Sequence, residues 1–318
     1  MDINWIPLAG TARRAVQGAR AIGPVVDPAQ VARSLGRVAQ ATAAPLLPKR
    51  SLESAVGGRV VLVTGASYGI GRAAALQIAE AGATTLVVAR GTEALADLDD
   101  EIGAAGGTAR AYTADLSDME AIDALAQRIA ADDLEVDVLV NNAARSIRRS
   151  IAQSYDRFHD YERTMRLNYF GAVRLTLALL PGMRERRRGH MVNVSTLGVQ
   201  TSTPRFSAYL ASKSALEAFT RVAAAECLGD DVRFTTVHMP LVRTPMIEAT
   251  TIYDTMPALS PRDAAAIICD ALRTRAEQVG PRVGALAEVG HALSPAAANE
   301  VMHALYRAVP DPPQAPAP

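Results

Sequence analysis

The sequence predicts an α/β domain in which a parallel sheet is doubly wound, with helices on both faces. Three observations predict it. Strand-like and helix-like segments alternate from residue 58 to about residue 275. The strands are short, nearly continuous apolar runs, as in strands buried on both faces. The first of them runs straight into a glycine-rich turn that opens a helix. Right-handed crossovers then place the ligand crevice at the carboxyl ends of the strands.

The elements follow in order. Arg59–Thr64 (RVVLVT) is the first strand, and 70–81 carries helical spacing. Thr84–Ala89 is the second strand and 93–105 a helix; Ala109–Ala114 is the third strand and 117–132 a helix. Val136–Val140 is the fourth strand, followed by one long helix over about 156–186. His190–Val194, a helix over about 207–228 and Val232–His238 complete a six-stranded pattern. Ser260-Pro261-Arg262-Asp263 starts a further helix to about 274, with an N-cap serine and proline at the first helical position. Gly280-Pro281 breaks it, and an apolar helical region runs over about 284–308 before a proline-rich end expected to be disordered. The domain is thus expected over 58–275, with 276–318 as a helical tail.

Residues 1–57 read differently, rich in Ala, Arg, Gly and Pro. Short amphipathic helices are expected near 8–22 and 28–43, with seven basic residues against two acidic ones up to residue 50. This arm either packs on the core or a neighbouring subunit, which is the favoured reading, or makes a peripheral membrane contact through residues 1–50. It has no secretory signal pattern. Across the 318 residues Lys+Arg and Asp+Glu are 33 each, which argues against a nucleic-acid binder. Apolar runs fall short of a membrane span, and two cysteines, Cys227 and Cys269, argue against a disulfide framework, so a cytoplasmic location is expected. No metal-ligand pattern stands out.

Strand one ends in Thr64-Gly65-Ala66-Ser67-Tyr68-Gly69-Ile70-Gly71. Gly65, Gly69 and Gly71 allow a tight turn and close approach of backbone to a pyrophosphate. Ser67, Tyr68 and Ile70 line that turn, and the helix start offers free N–H groups. Arg90 ends the second strand, where a carboxylate would hold a ribose 2′-hydroxyl. A guanidinium suits a 2′-phosphate, so NADPH is expected over NADH; the alternative is one more solvated arginine. Asp115, beside Leu116, either accepts from an adenine amino group or caps the next helix.

Of the 33 lysines and arginines only Lys49 and Lys213 are lysine, and Lys213 stands four residues after Tyr209 on a helix. Ser195 lies fourteen residues before Tyr209, Asn168 twenty-seven before Ser195, and Asn141-Asn142-Ala143-Ala144 ends strand four. With the glycine motif these residues resemble the short-chain dehydrogenase/reductase family, a Rossmann fold, over about 58–275. The resemblance implies a catalytic tetrad: Tyr209 as proton donor to a carbonyl oxygen, Ser195 polarising that oxygen, Lys213 holding the nicotinamide ribose and lowering the tyrosine pKa, Asn168 supporting a water relay to Lys213. It further implies cofactor contacts at Asn142, Ala143, Val242 and Thr244, and a homo-oligomer, dimer or tetramer. Chemistry agrees: a phenol shuttles protons near neutrality only beside a cation, and positions i and i+4 share a helix face. Two departures stand out. Ala144 replaces the family's usual glycine, and Met239-Pro240 stand where Pro-Gly is usual.

The stretches 141–149, 157–163, 167–171, 205–209 and 239–246 resemble the bacterial fatty acyl-CoA reductase branch, which reduces long-chain acyl-CoA to aldehyde. A lid over 244–259, with Met246, Ile247, Ile252, Tyr253 and Met256, is expected to line an acyl groove or simply to pack on itself. Arg145, Arg148 and Arg149 either meet coenzyme A phosphates or form an exposed basic helix start. A ketoreductase of a 3-oxoacyl, polyketide or steroid-like ketone and a non-catalytic nucleotide-binding scaffold are the alternatives.

Overall fold

The computed structural model describes residues 50–248, 253 and 256–308. The basic arm with its expected helices, lid residue Ile252 and the proline-rich end lie outside the described residues. The described chain begins with α1 (Leu52–Val56), capped by the Ser51 hydroxyl. Then β1 (Val60–Thr64), α2 (Gly69–Glu80), β2 (Thr84–Ala89), α3 (Thr92–Ala104), β3 (Thr108–Thr113) and α4 (Met119–Ala131) alternate. After β4 (Val138–Asn141) come α5 (His159–Met165), α6 (Ala172–Glu185), β5 (Gly189–Thr196) and a short α7 (Leu197–Thr201). The long helix α8 (Ser207–Cys227) leads to β6 (Val232–Met239), α9 (Pro245–Glu248), α10 (Pro261–Thr274) and β7 (Gln278–Val279). A helical pair, α11 (Arg282–Leu293) and α12 (Pro295–Ala308), closes the described chain.

All seven strands are parallel, in the order β3-β2-β1-β4-β5-β6-β7. The winding reverses between β1 and β4, so the turns after these neighbours diverge and leave a crevice at their carboxyl ends. Leu62 and Leu139 face one layer of helices, while Val61, Val63, Val138 and Val140 face the other. The middle of β1 and of β4 is therefore apolar on both faces, as a sheet covered on both sides requires.

Three details depart from the sequence expectation. The sheet has a seventh strand, with Thr236 opposite Gln278 and Val237 opposite Val279, so it continues past residue 275. Two residues are too few to carry a periodicity. The expected helix over 156–186 starts at His159 and is interrupted by a π-helical turn, Arg166–Gly171, between α5 and α6. Arg145–Arg149 starts no helix; residues 142–150 run as loop.

The π turn brings its last residue hard against the chain after β3. A Cβ at Gly171 would fall 2.1 Å from the Leu116 carbonyl oxygen. Backbone cannot yield as a flexible side chain can. Gly171→Ala is therefore expected to lower stability by about 1–3 kcal/mol, read as a fall in Tm; an unchanged Tm would show that the two segments separate freely.

Candidate active site

At the crevice the β1 and β4 ends are stitched together. The Thr64 hydroxyl donates to the Val140 carbonyl (3.1 Å) and accepts from the Asn142 and Ala143 amides at 2.9 and 3.0 Å. The Asn142 side-chain amide donates to the Thr64 carbonyl at 2.9 Å. The glycines fit this crowding. A Cβ at Gly65, whose φ is +66°, would lie 2.8 Å from Ala143 Cα, and one at Gly71 would lie 2.2 Å from the Gly65 carbonyl oxygen. Gly69, at φ +58°, faces Thr244, whose methyl would sit 2.8 Å from such a Cβ. Thr244 thus reaches the glycine turn across the crevice, and buried Val242 anchors its segment by a bridge to Leu259.

Tyr68 is the N-cap of α2 and gives it no side-chain cap, so the first N–H groups of the helix keep their hydrogen-bonding capacity. Ser67 and Ile70 are half-buried around the turn, while Tyr68 is exposed. A backbone cradle without Cβ atoms, ending in open helix N–H groups, fits the pyrophosphate of a dinucleotide. Arg90 is exposed at the end of β2. Asp115 accepts from the amide and hydroxyl of Ser117, so it forms a turn, and Asp118 takes the cap of α4. Burial alone would raise the Asp115 carboxyl; the Ser117 donors and the Arg90 and Arg145 charges outweigh it and hold the pKa below the usual value. Arg90, at the end of β2, and Asp115, just after β3, therefore sit close enough to interact. Leu116, buried, is the residue that Gly171 packs against.

The catalytic face is carried by α8. Lys213 is 1% exposed and donates from Nζ to the Val194 carbonyl at 2.7 Å. Burial pulls its pKa down to about 8, against the nearby Glu217 carboxylate, which favours the ammonium. Burial pushes the Tyr209 phenol up to about 12, the Thr196 hydrogen bond pulls against the rise, and Tyr253 adds to it. Desolvation, and not Lys213, dominates the phenol, so the expected lowering of the tyrosine is not found. Asn168 is buried in the π turn; its side chain accepts from the Arg145 amide and donates to the Arg145 carbonyl and to the Ser212 hydroxyl. Ser212 in turn donates to the Tyr209 carbonyl at 2.6 Å. Asn168 therefore joins the loop after β4 to the turn of α8 that carries the tyrosine.

The Ser195 side chain turns inward. Its hydroxyl donates to Glu217 Oε1, in the interior, and His238 Nε2 lies 3.3 Å from the same oxygen. The neighbouring Thr196 is the side chain whose polar group bears on the Tyr209 phenol and lowers its pKa. Successive strand residues point to opposite sides, so only one of two adjacent hydroxyls can face the tyrosine. Ser195 shares the side of Asn193, which donates to Thr220 on α8. Thr196 also caps α7 through the Gly198 amide, which holds it at the strand tip. Glu217 and His238 were not singled out from the sequence; their only signal was the i+4 spacing of Glu217 from Lys213.

The loop arginines divide. Arg149 is tied to buried Asp160 at 3.0 Å, alongside Arg163 at 2.6 Å. Burial would raise the Asp160 carboxyl, but these two guanidiniums hold it low. Arg149 is therefore a structural partner and not a free phosphate ligand. Arg148 acts electrostatically on lid residue Tyr253, whose hydroxyl in turn acts on Tyr209. A cleft of about 460 Å³ opens elsewhere, on another flank of α8, between Ile151, Leu210 and Tyr306. It includes neither Tyr209 nor the glycine turn. Among the described residues no His, Cys, Asp and Glu cluster could hold a metal ion.

Residues 59–253 match the short chain dehydrogenase family. The chain belongs to that family. It is an NAD(P)-dependent oxidoreductase. An uncharacterized oxidoreductase of Mycobacterium tuberculosis is 54% identical over 260 residues, 81% of this chain and 76% of that one. A fatty acyl-CoA reductase of Acinetobacter baylyi is 50% identical over 247 residues, covering 78% of this chain and 84% of that protein. Among solved structures, a short-chain dehydrogenase from Streptomyces avermitilis superposes with a TM-score of 0.66 at 34% identity, over 79% of this chain and 98% of that one. A 3-oxoacyl (acyl-carrier-protein) reductase from Agrobacterium tumefaciens with NADP bound gives 0.64 at 26% identity, over 71% and 93%.

A hydroxyl that polarises the reacting oxygen is worth about 10²–10³ in kcat. Thr196→Val is expected to lose activity on that scale, and Thr196→Ser to restore most of it. Ser195→Ala, which removes only a donor to Glu217, is expected to lose much less. Steady-state kcat on the three variants decides; equal losses at 195 and 196 would refute the assignment.

Proposed function

We propose that the protein reduces a long-chain fatty acyl-CoA to the fatty aldehyde with NADPH. The observation that carries the substrate is the 50% identity to the Acinetobacter baylyi fatty acyl-CoA reductase across 84% of that protein; a second fatty acyl-CoA reductase, from Mycobacterium tuberculosis, is 45% identical over a similar span. Exposed Arg90, beside Asp115, supports a 2′-phosphate, and NADP is the nucleotide in the Agrobacterium tumefaciens structure. Arg90, Asp115 and Leu116 would hold the adenosine end, the α2 N–H groups the pyrophosphate, and Asn142, Ala143, Lys213 and Thr244 the nicotinamide riboside. When bound, the nicotinamide supplies a hydride to the thioester carbon.

Tyr209, protonated at neutral pH, donates its phenolic proton to the oxygen that gains the carbonyl electron pair, while Thr196 holds that oxygen by a hydrogen bond. The resulting hemithioacetal breaks its C–S bond, the carbonyl re-forms, and its hydroxyl proton ends on the departing coenzyme A sulfur. Lys213 keeps a positive charge beside the phenol as the proton leaves. No thioacyl-enzyme is needed: Cys227 and Cys269 are buried, and burial pushes both thiols up, Cys269 to about 12. Self-association through the π turn and the outer faces of α6 and α8, where Phe170, Leu177 and Val222 are exposed, belongs to the same proposal.

The likeness to a 3-oxoacyl reductase favours a second reading, reduction of a ketone by the same residues. Mixing enzyme, NADPH and palmitoyl-CoA is expected to release free thiol in step with NADPH oxidation, and Tyr209→Phe to abolish both. NADPH oxidation with a 3-oxoacyl substrate but no thiol from palmitoyl-CoA would replace the first reading by the second. The pH profile carries its own sign. Lys213 is charged below about 8 and neutral above it, while Tyr209 stays protonated until about 12. Reductive kcat/KM is therefore expected to fall as pH rises through about 8; a flat profile to pH 10 would show that the ammonium is dispensable.

A further inference from the structure

One helical turn beyond Lys213 on α8 stands a carboxylate that is 8% exposed, Glu217. Ser195 and His238 lie opposite each other in the β5–β6 register, so their side chains leave the sheet on one side, the side that α8 covers. The Ser195 hydroxyl donates to Glu217 Oε1, and His238 Nε2 lies 3.3 Å from the same oxygen. His238 has little room to move, since a Cβ at Gly280 would fall 2.8 Å from its own Cβ. Two strands thus fix one carboxylate oxygen.

A buried carboxylate is an unfavourable way to attach a helix to a sheet. α8 already has a neutral attachment three residues further on, where the Asn193 amide donates to the Thr220 hydroxyl at 2.8 Å. A second neutral pair at 217 would serve packing as well. The residue that gains from the negative charge is Lys213, buried with its ammonium donating to a neutral group, the Val194 carbonyl. An interior ammonium stays protonated only with an opposite charge close by. The ionisable groups around the pair come from three elements: Tyr209 and Glu217 on α8, His238 on β6, and Tyr253 of the lid, which acts on Tyr209. β5 offers hydroxyls and a carbonyl, from Ser195, Thr196 and Val194. Among the described residues, Glu217 is the group whose charge favours the ammonium.

We propose that Glu217 is a positioning residue of the reduction: locked to β5 and β6, it holds a negative charge beside Lys213 and keeps the ammonium charged while the Tyr209 phenol gives up its proton. Ser195 and His238 act through it by fixing the carboxylate. The assignment rests on the reading that charged Lys213 serves the reduction, and not on which carbonyl is reduced.

The lysine content gives a direct test. Lys49 and Lys213 are the only lysines in the sequence, so the full chain labelled with carbon-13 at lysine Cε shows two resonances, and Lys49→Arg identifies the one from Lys213. Its titration midpoint is expected at about 8. Glu217→Gln is expected to lower the midpoint by about one unit or more, and Glu217→Asp, which keeps the charge, to lie between the two. The fall of reductive kcat/KM with rising pH is expected to move down with the midpoint. A purely structural role would lower Tm and leave the midpoint in place. If Glu217→Gln does not fold, Glu217→Met, apolar and of similar length, is read instead. An unchanged midpoint in the neutral variant overturns the proposal, and so does a lowered midpoint with an unmoved kinetic limb. Absence of thiol release from palmitoyl-CoA is a separate failure: it removes the acyl-CoA reading, leaves the titration intact, and the kinetic limb is then read with a 3-oxoacyl substrate.

Discussion

A buried ammonium organises this site. Removing a charge from water is unfavourable unless neighbouring groups replace the water. Lys213 meets that demand with the Val194 carbonyl and, one helical turn on, the Glu217 carboxylate. Glu217 is in turn held by Ser195 and by His238. Strands β5 and β6 therefore grip α8 through one polar cluster, and the height of α8 over the sheet sets where Tyr209 stands. The same burial that lowers the lysine raises the phenol, which keeps the tyrosine protonated at neutral pH.

The second constraint is steric. Three separate backbone approaches, Gly65 on Ala143, Gly71 on Gly65 and Gly171 on Leu116, leave no space for a side chain. Two build the dinucleotide cradle at the point where the winding reverses. The third seats the π turn, and with it Asn168, against the chain after β3. Cofactor floor and catalytic helix are thus positioned by backbone contacts at positions where only glycine fits. Ala144, in place of the usual glycine, lies just beyond this crowded zone.

Much of this was legible before any coordinates. Apolar strand runs, the glycine turn after β1 and the Tyr209–Lys213 spacing are local signals, and local signals survive in a linear string. The six principal strands, the cradle and the lysine follow from them. β7 was not legible because two residues have no period, and the π turn was not because it keeps the apolar stripe of an uninterrupted helix. Arg149 looked like a ligand because its partner, Asp160, is recognisable only as a buried residue.

What the sequence by itself determined is the set of chemical groups and their approximate order around a parallel sheet. Which of two adjacent hydroxyls faces the tyrosine was decided only by the tertiary structure. Spacing along the chain places Ser195 and Thr196 equally well, and the direction of a side chain is set by the pleat of β5 and the start of α7.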